Sequence, residues 1–133
     1  MDTPSLDEII AKSPVVVHSE RFAYLQTDNP PSDGCFAVVT DADETTVIAP
    51  EKRVPDIPHQ KVEKWFRLLE FQIIVPFKGV GFLATIAKTL ADQEMNILIC
   101  STFSKDFFLV HEEDLETAVR ALIERGFTIH QEN

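Results

Sequence analysis

The sequence is short of basic residues. It has 12 lysines and arginines against 22 aspartates and glutamates in 133 residues, which gives a formal net charge of -10. A surface of this sign repels the phosphates of nucleic acids and the headgroups of anionic lipids. The composition therefore argues against a nucleic-acid or membrane partner, and the acidic surplus favours solubility.

Long apolar runs and a leader sequence are also missing. No stretch of 18 apolar residues occurs, so no transmembrane helix is expected. Residues 1–8 carry three acids and no apolar run, so no signal peptide is expected either. We therefore predict a soluble, cytoplasmic protein.

Cysteine is scarce and carries no metal-binding pattern. Cys35 and Cys100 lie 65 positions apart, with no CxxC pair. They are interpreted as buried free thiols in a reducing compartment, with a disulfide as the less favoured alternative. The four histidines form no HxH or HExxH pattern, so neither a metal nor a cofactor is expected.

Known catalytic patterns are missing as well. The sequence has no GxSxG nucleophile motif. Residues 78–82 read Lys-Gly-Val-Gly-Phe and resemble the phosphate loop of acylphosphatases, which needs an arginine directly after the phenylalanine to hold the phosphoryl oxygens. Leu83 stands at that position. The chain is therefore predicted not to be an enzyme.

The back half carries the strongest structural pattern. From Phe71 to Phe127, strand and helix signals follow the order β-α-β-β-α-β of a split βαβ unit. The first helix is predicted to bury Val80, Leu83, Ala87 and Leu90, widened by Ala84 and Ala91, and the second Leu115, Ala118, Val119 and Leu122. Gly126 is expected to end the second helix in a left-handed conformation.

The front half has strand signals but no comparable helix. Ser5 and Glu8 predict a capping box on a short helix that Pro14 ends. A hairpin is predicted over residues 36–49 and a long central strand over Val62–Val75.

Two segments are candidates for ligand binding. The turn Lys78, Gly79, Val80, Gly81 and Phe82 places glycines at a helix N-terminus, where free N–H groups receive a carboxylate or phosphate. The alternative is that these glycines only allow close helix packing. The second segment combines Asn96 with residues 101–106, in which Ser101, Thr102 and Asp106 could hydrogen-bond a ligand; its alternative is an ordinary hairpin turn.

Most of the chain, from about Phe22 to Phe127, resembles a known family. The resemblance rests on patterns such as Phe36-Ala37-Val38-Val39-Thr40, Thr46 to Pro55, Trp65, Gly79-Val80, Leu83-Ala84, Asn96-Ile97, Ser101-Thr102-Phe103, Asp106 and Asp114-Leu115. The chain is similar to the tandem ACT domain proteins, short bacterial proteins related to the ACT pairs of cytosolic arginine sensors.

The resemblance implies an α+β fold with two ferredoxin-like ACT-type units, antiparallel sheets and helices on one face. The units would be residues 1–64, degenerate, and residues 65–133. A bound amino acid is expected to contact Lys78, Gly79, Val80, Gly81, Phe82, Asn96, Ile97, Ser101, Thr102, Phe103 and Asp106. Phe103 and Asp106 match residues that contact the amino acid in the sensors.

Two positions depart from the family pattern. Lys78 stands where an acid is common, and Glu94 stands where glycine often ends the first helix. A glutamate forced to a positive φ costs roughly 1 kcal/mol or more, so this helix end is expected to be reshaped.

The predicted function is a non-catalytic regulatory protein that binds an amino acid, forms a homodimer and acts on a protein partner. The alternative is a homo-oligomeric interaction module whose ligand pocket has decayed.

Overall fold

The computed structural model describes residues 4–75 and 79–132. The helices are α1 (Leu6–Lys12), α2 (Phe82–Ala91) and α3 (Leu115–Arg125), with 3-10 turns at Glu51–Asp56 and Glu112–Asp114. The strands are β1 (Val15–Gln26), β2 (Ala37–Thr40), β3 (Thr45–Pro50), β4 (Lys61–Phe71), β5 (Ile97–Ser101), β6 (Asp106–His111) and β7 (Ile129–Gln131). None of the described helices has the length and hydropathy of a membrane span.

The chain forms two compact units. The helical unit runs up to Ser19 and resumes at Arg67, and the strand unit is Glu20–Phe66. Strands β1 and β4 have residues in both. The prediction placed residues 1–64 in one unit, whereas the structure groups the first nineteen with the C-terminal part. The reason is burial, because Ile9, Ile10, Val15 and Val17 share one core cluster with Phe71.

The helical unit has the strand order β7-β1-β4-β6-β5. Strands β5 and β6 are antiparallel, and β7 runs parallel to β1, with Val15 opposite Ile129. All three helices contribute side chains to one core cluster, in which phenylalanine rings contact one another. Phe71 contacts the rings of Phe82, Phe108 and Phe127 at centroid distances of 6.3, 5.3 and 5.5 Å.

The strand unit has the order β2-β3-β1-β4. The predicted hairpin is β2 with β3, and its turn is closed by Asp41, whose carboxylate accepts from the N–H groups of Asp43 and Glu44. One buried cluster holds small and aliphatic side chains: Ala23, Leu25, Val47, Ala49 and Ile57. This unit contains no α-helix.

Two local predictions were wrong. Strand β4 ends at Phe71 rather than Val75, because its neighbour there is Ser13-Pro14 and proline has no N–H for the ladder. The buried face of α2 is Phe82, Ile86 and Leu90, whereas Val80 and Leu83 are exposed. The physical reason is that the larger Phe82 and Ile86 side chains bury more apolar area.

Several other local predictions match the structure. The capping box on α1 is present, with Ser5 Oγ accepting from the Glu8 N–H at 3.2 Å. Gly126 ends α3 at φ 120, as predicted. The helix end at Glu94 was expected to be reshaped, but Glu94 keeps a left-handed conformation at φ 61. Cys35 and Cys100 are free, but both are half-buried rather than buried.

Candidate functional site

The turn before α2 uses glycine for two different physical reasons. A Cβ on Gly79 would lie 2.8 Å from Ile73 Cδ1, so a side chain there would displace Ile73. Gly81 is the N-cap of α2 at φ 85, a left-handed conformation that glycine adopts without strain. The Phe82 N–H donates to Gly79 O at 3.0 Å and closes the turn.

Among the described residues, no side chain caps the N-terminus of α2. Its N-cap Gly81 has no side chain, and the first turn of α2 contains no acidic residue. Helix N-termini expose unpaired N–H groups and the positive end of the helix dipole. This end of α2 therefore attracts an anion that the helix itself does not supply.

The hairpin between β5 and β6 lies opposite this turn. Ser101 pairs with Asp106 in the ladder, and the Ser101 hydroxyl donates to Asp106 Oδ1 at 2.7 Å. The Thr102 N–H donates to Lys105 O at 3.0 Å, which tightens the turn. Phe103, at the tip, is 80% exposed. The hairpin thus fixes a carboxylate at its base and an aromatic ring at its tip.

A cleft of about 290 Å³ lies between the turn and the hairpin. It is lined by Ile73, Gly79, Val80, Phe82, Leu83, Ser101, Thr102, Phe103, Ser104, Lys105 and Asp106. This volume is at the lower end of small-molecule pockets, which run from roughly 300 to 1,000 Å³. The cleft therefore has room for a ligand of metabolite size rather than a large cofactor.

The structure brings most of the predicted site residues together. Those that line the cleft are Gly79, Val80, Phe82, Ser101, Thr102, Phe103 and Asp106. Gly81 is the adjacent N-cap, and Lys78 lies outside the described residues. Asn96 and Ile97 are at the other end of β5, roughly 15 Å from Ser101 at 3.3 Å per residue, and do not line the cleft.

Sequence reasoning missed four of the lining residues. Ser104 and Lys105 lie within the predicted binding segment 101–106, but neither was predicted to be a site residue itself. Leu83 was assigned to the buried stripe of α2, and Ile73 to the central strand. The signal that could have found Leu83 is the competing stripe Phe82, Ile86 and Leu90, which leaves Leu83 facing outward.

Lys105 is anchored by a buried acid. Its Nζ lies 3.6 Å from Glu70 Oε2, and Glu70 is only 7% exposed. The other Glu70 oxygen lies 2.9 Å from His18 Nε2, and Gln72 also donates to this carboxylate.

The polar partners control the ionisation of this acid. Burial alone would raise the pKa of the Glu70 carboxyl, but hydrogen bonds from Gln72 and His18 and the charge of Lys105 lower it below the ordinary value of 4.5. Glu70 therefore remains an anion at neutral pH and holds the Lys105 ammonium beside the cleft.

Residues 66–124 match the model of the ACT domain. The chain contains an ACT domain. Every described residue that lines the cleft falls within the matched range. The ACT domain thus includes both the uncapped end of α2 and the β5–β6 hairpin, and the candidate site belongs to it.

Solved structures extend the similarity beyond the ACT domain itself. Protein Atu0741 from Agrobacterium tumefaciens is 20% identical with a TM-score of 0.79, and covers 98% of this chain and 96% of its own. VC0802 from Vibrio cholerae, described as a possible transport protein, is 16% identical with a TM-score of 0.78, over 91% of this chain and 95% of its own.

The ligand-free regulatory subunit of aspartate kinase from Thermus thermophilus is 10% identical with a TM-score of 0.68, over 87% of this chain and 97% of its own. These likenesses confirm the predicted fold class, a mixed α and β ACT-type fold with ferredoxin-like units. A sequence comparison with curated proteins gave no match.

No group of three or more histidine, cysteine, aspartate or glutamate side chains among residues 4–75 and 79–132 is arranged to hold a metal ion. Among the described residues, the candidate site combines backbone N–H groups, hydroxyl groups, the Asp106 carboxylate, the Lys105 ammonium and apolar walls.

Proposed function

We propose that this chain is a non-catalytic regulatory protein whose ACT domain binds a free amino acid in the cleft between the α2 turn and the β5–β6 hairpin. The observation that carries the proposal is that one cleft contains a group that favours an anion and a group that favours a cation. The uncapped end of α2 favours an anion, and Asp106 lies across from it as an anion that favours a cation. A zwitterion satisfies both.

Each ligand group has a specific counterpart. The ligand carboxylate would accept from first-turn N–H groups of α2, where no acidic residue competes. The ligand ammonium would donate to Asp106, whose Oδ1 is already oriented by the Ser101 hydroxyl. Phe103 would cover the bound ligand from the hairpin tip.

The fit to a regulatory role comes from the ACT domain and from the regulatory subunits of aspartate kinase among the similar folds. Binding would alter function by favouring one arrangement of the protein with itself or with a partner, provided the affinities differ between arrangements. We include a homodimer and a cytoplasmic location in this proposal.

The alternative, an interaction module with a decayed pocket, predicts that large apolar side chains fill the cleft. Three side chains are candidates for this filling: Phe77, Phe82 and Phe103. Phe82 is buried in the core and Phe103 is 80% exposed, whereas Phe77 lies outside the described residues. In favour of the alternative are exposed Val38 and Val39 on the edge strand β2, since such edges template association. Light scattering at several protein concentrations, with and without amino acids, would separate assembly from ligand binding.

The experiment is a thermal-shift screen of the intact protein against the common L-amino acids, with Asp106→Asn as the site variant. A ligand at about 100 times its Kd stabilises the folded state by about 2.7 kcal/mol, which corresponds to several degrees at this size. We expect the wild type and the matched control Asp43→Asn to shift, and Asp106→Asn to lose the shift while keeping its basal Tm. An equal shift in Asp106→Asn would contradict the site, and no shift in any protein would favour the alternative.

A further inference from the structure

The cleft has apolar walls that remain exposed to solvent. Val80 is 92% exposed and Leu83 is 40% exposed, although both are large aliphatic residues of the α2 turn. Together with Ile73 and Phe103 they form the wall of the cleft. Clustered exposed apolar side chains with a polar rim are typical of a binding surface rather than of ordinary solvent contact.

Among the described residues that line the cleft, the charged side chains are already engaged or would be engaged by the ligand backbone, so they cannot pair with a charged ligand side chain. Asp106 is the carboxylate among them, and the proposed ligand ammonium takes it. The Lys105 ammonium already lies 3.6 Å from the buried Glu70 carboxylate. Among the described lining residues, a lysine or arginine ligand would find no carboxylate for its second cation, and an aspartate ligand would compete with Glu70 for Lys105.

We propose that the cleft selects amino acids with an aliphatic side chain, of the size of valine, leucine, isoleucine or methionine. This inference rests on the proposed function and adds the ligand class to it. The α-carboxylate and α-ammonium are held at the two polar ends, and the side chain lies on the wall formed by Ile73, Val80 and Leu83. A cleft of about 290 Å³ suits a ligand of this size.

The apolar wall predicts a graded affinity. Each methylene group removed from water tightens binding by about fourfold when fully buried. Since the cleft is partly open, we expect L-leucine to bind at least about tenfold more tightly than L-alanine. L-arginine, L-lysine and L-aspartate gain no second paired charge from the described lining residues, so we expect them to bind at least about tenfold more weakly than L-leucine.

The test is isothermal titration of the intact protein with L-leucine, L-isoleucine, L-methionine, L-alanine, L-arginine, L-lysine and L-aspartate. The wall variant is Val80→Ser, which leaves the core untouched because the residue is solvent-exposed. Its matched control is Val39→Ser on β2, in the other unit. We expect Val80→Ser to weaken leucine binding several-fold and alanine binding little, and Val39→Ser to leave both unchanged.

Tighter or equal binding of arginine, lysine or aspartate would overturn the ligand class while leaving amino-acid binding intact. Equal leucine affinity in wild type and Val80→Ser would overturn the assignment of the wall. If none of the seven amino acids binds, the ligand class is overturned, and the proposed function fails as well if the thermal-shift screen of all the common L-amino acids gives no response.

Discussion

The helical unit and the strand unit differ in the elements and side chains that form their buried cores. In the helical unit, all three helices contribute to one core cluster, and three phenylalanine rings contact that of Phe71. The strand unit, whose residues are described throughout, has no α-helix, and its cluster around Leu25 consists of alanines and aliphatic side chains. Its buried rings Phe22 and Phe66 contact the rings of Phe36 and Tyr24, respectively. The helical unit therefore has a helix N-terminus beside a cleft, whereas the strand unit, which lacks an α-helix, has none.

The cavities of the two units illustrate the same difference. The strand unit has an open groove of about 540 Å³, larger than the cleft of the helical unit. It is lined by Tyr24, Leu25, Gln26, Glu44, Thr46, Lys61, Val62 and Glu63. These side chains offer charges of both signs but no helix N-terminus. We place the ligand site in the smaller cleft because its polar groups converge, whereas volume alone selects no chemistry.

The largest expected effect tests the comparison of the two cores. Phe71→Ala should destabilise the protein by about 3–5 kcal/mol, because it removes the ring that three other phenylalanines contact. Leu25→Ala should cost roughly 2–3 kcal/mol, since its neighbours are smaller. Urea unfolding measures both values, and a larger loss in Leu25→Ala would break the comparison. Hydrogen exchange should show faster opening in the strand unit.

The second effect concerns the buried acid beside the cleft. Glu70→Gln should cost about 1–3 kcal/mol at neutral pH, because the charge that holds Lys105 and contacts His18 is lost. The pKa of Glu70 is lowered in the folded state, so its stabilisation is present above about pH 4.5 and is lost as the pH falls through the depressed pKa.

The wild type and Glu70→Gln should therefore converge in stability at acidic pH. Unfolding curves between pH 7 and pH 3 measure this convergence. Glu124→Gln, on the exposed side of α3, is the matched control and should change the stability by less than about 0.5 kcal/mol. A stability difference that stays constant over the whole pH range would contradict the role of the Glu70 charge.

The sequence predicted local features, such as caps and turns, better than it predicted which side chains face the core. The capping box at Ser5, the hairpin turn at Asp41 and the helix end at Gly126 each depend on neighbours within a few positions, and the structure has all three. The face of α2 was wrong because two apolar stripes compete in that helix, and the choice depends on the phenylalanines of distant strands.

The candidate site also has features that local sequence patterns predicted and features that depend on distant residues. The turn at Gly79 and the hairpin at Ser101–Asp106 are local patterns, and both line the cleft. Asn96 has a local pattern too, but its distance from the cleft follows from the length of β5. The anchoring of Lys105 by Glu70 joins residues 35 positions apart in the chain, and no local pattern could reveal it.

A smaller effect tests how far α1 contributes to the helical unit. Ser5→Ala removes the acceptor for the Glu8 N–H and should cost about 1 kcal/mol, within the usual range for N-caps. Because α1 buries Ile9 and Ile10 in the same core as Phe71, the loss should appear as faster hydrogen exchange in the helical unit. Ser32→Ala, in an exposed loop of the strand unit, is the control and should change neither quantity. Equal effects would mean that the cap contributes no stability.

The smallest expected effect is an increase in stability, and it concerns Glu94 in the helical unit. Glu94 follows α2 at φ 61, a conformation that costs a non-glycine residue roughly 1–2 kcal/mol. Glu94→Gly relieves this strain but adds about 0.5–1 kcal/mol of backbone entropy to the unfolded chain, so a net gain of about 0.5–1 kcal/mol is expected. The same substitution at Glu124, inside α3, should cost about 1 kcal/mol, because the backbone there is helical and glycine is a poor helix former.

Thermal unfolding of the two variants therefore separates backbone strain from loss of the side chain. Both substitutions remove an exposed glutamate, but φ is positive at Glu94 and negative in the helix at Glu124. Destabilisation by both substitutions would show that the Glu94 side chain contributes more than its strained backbone costs.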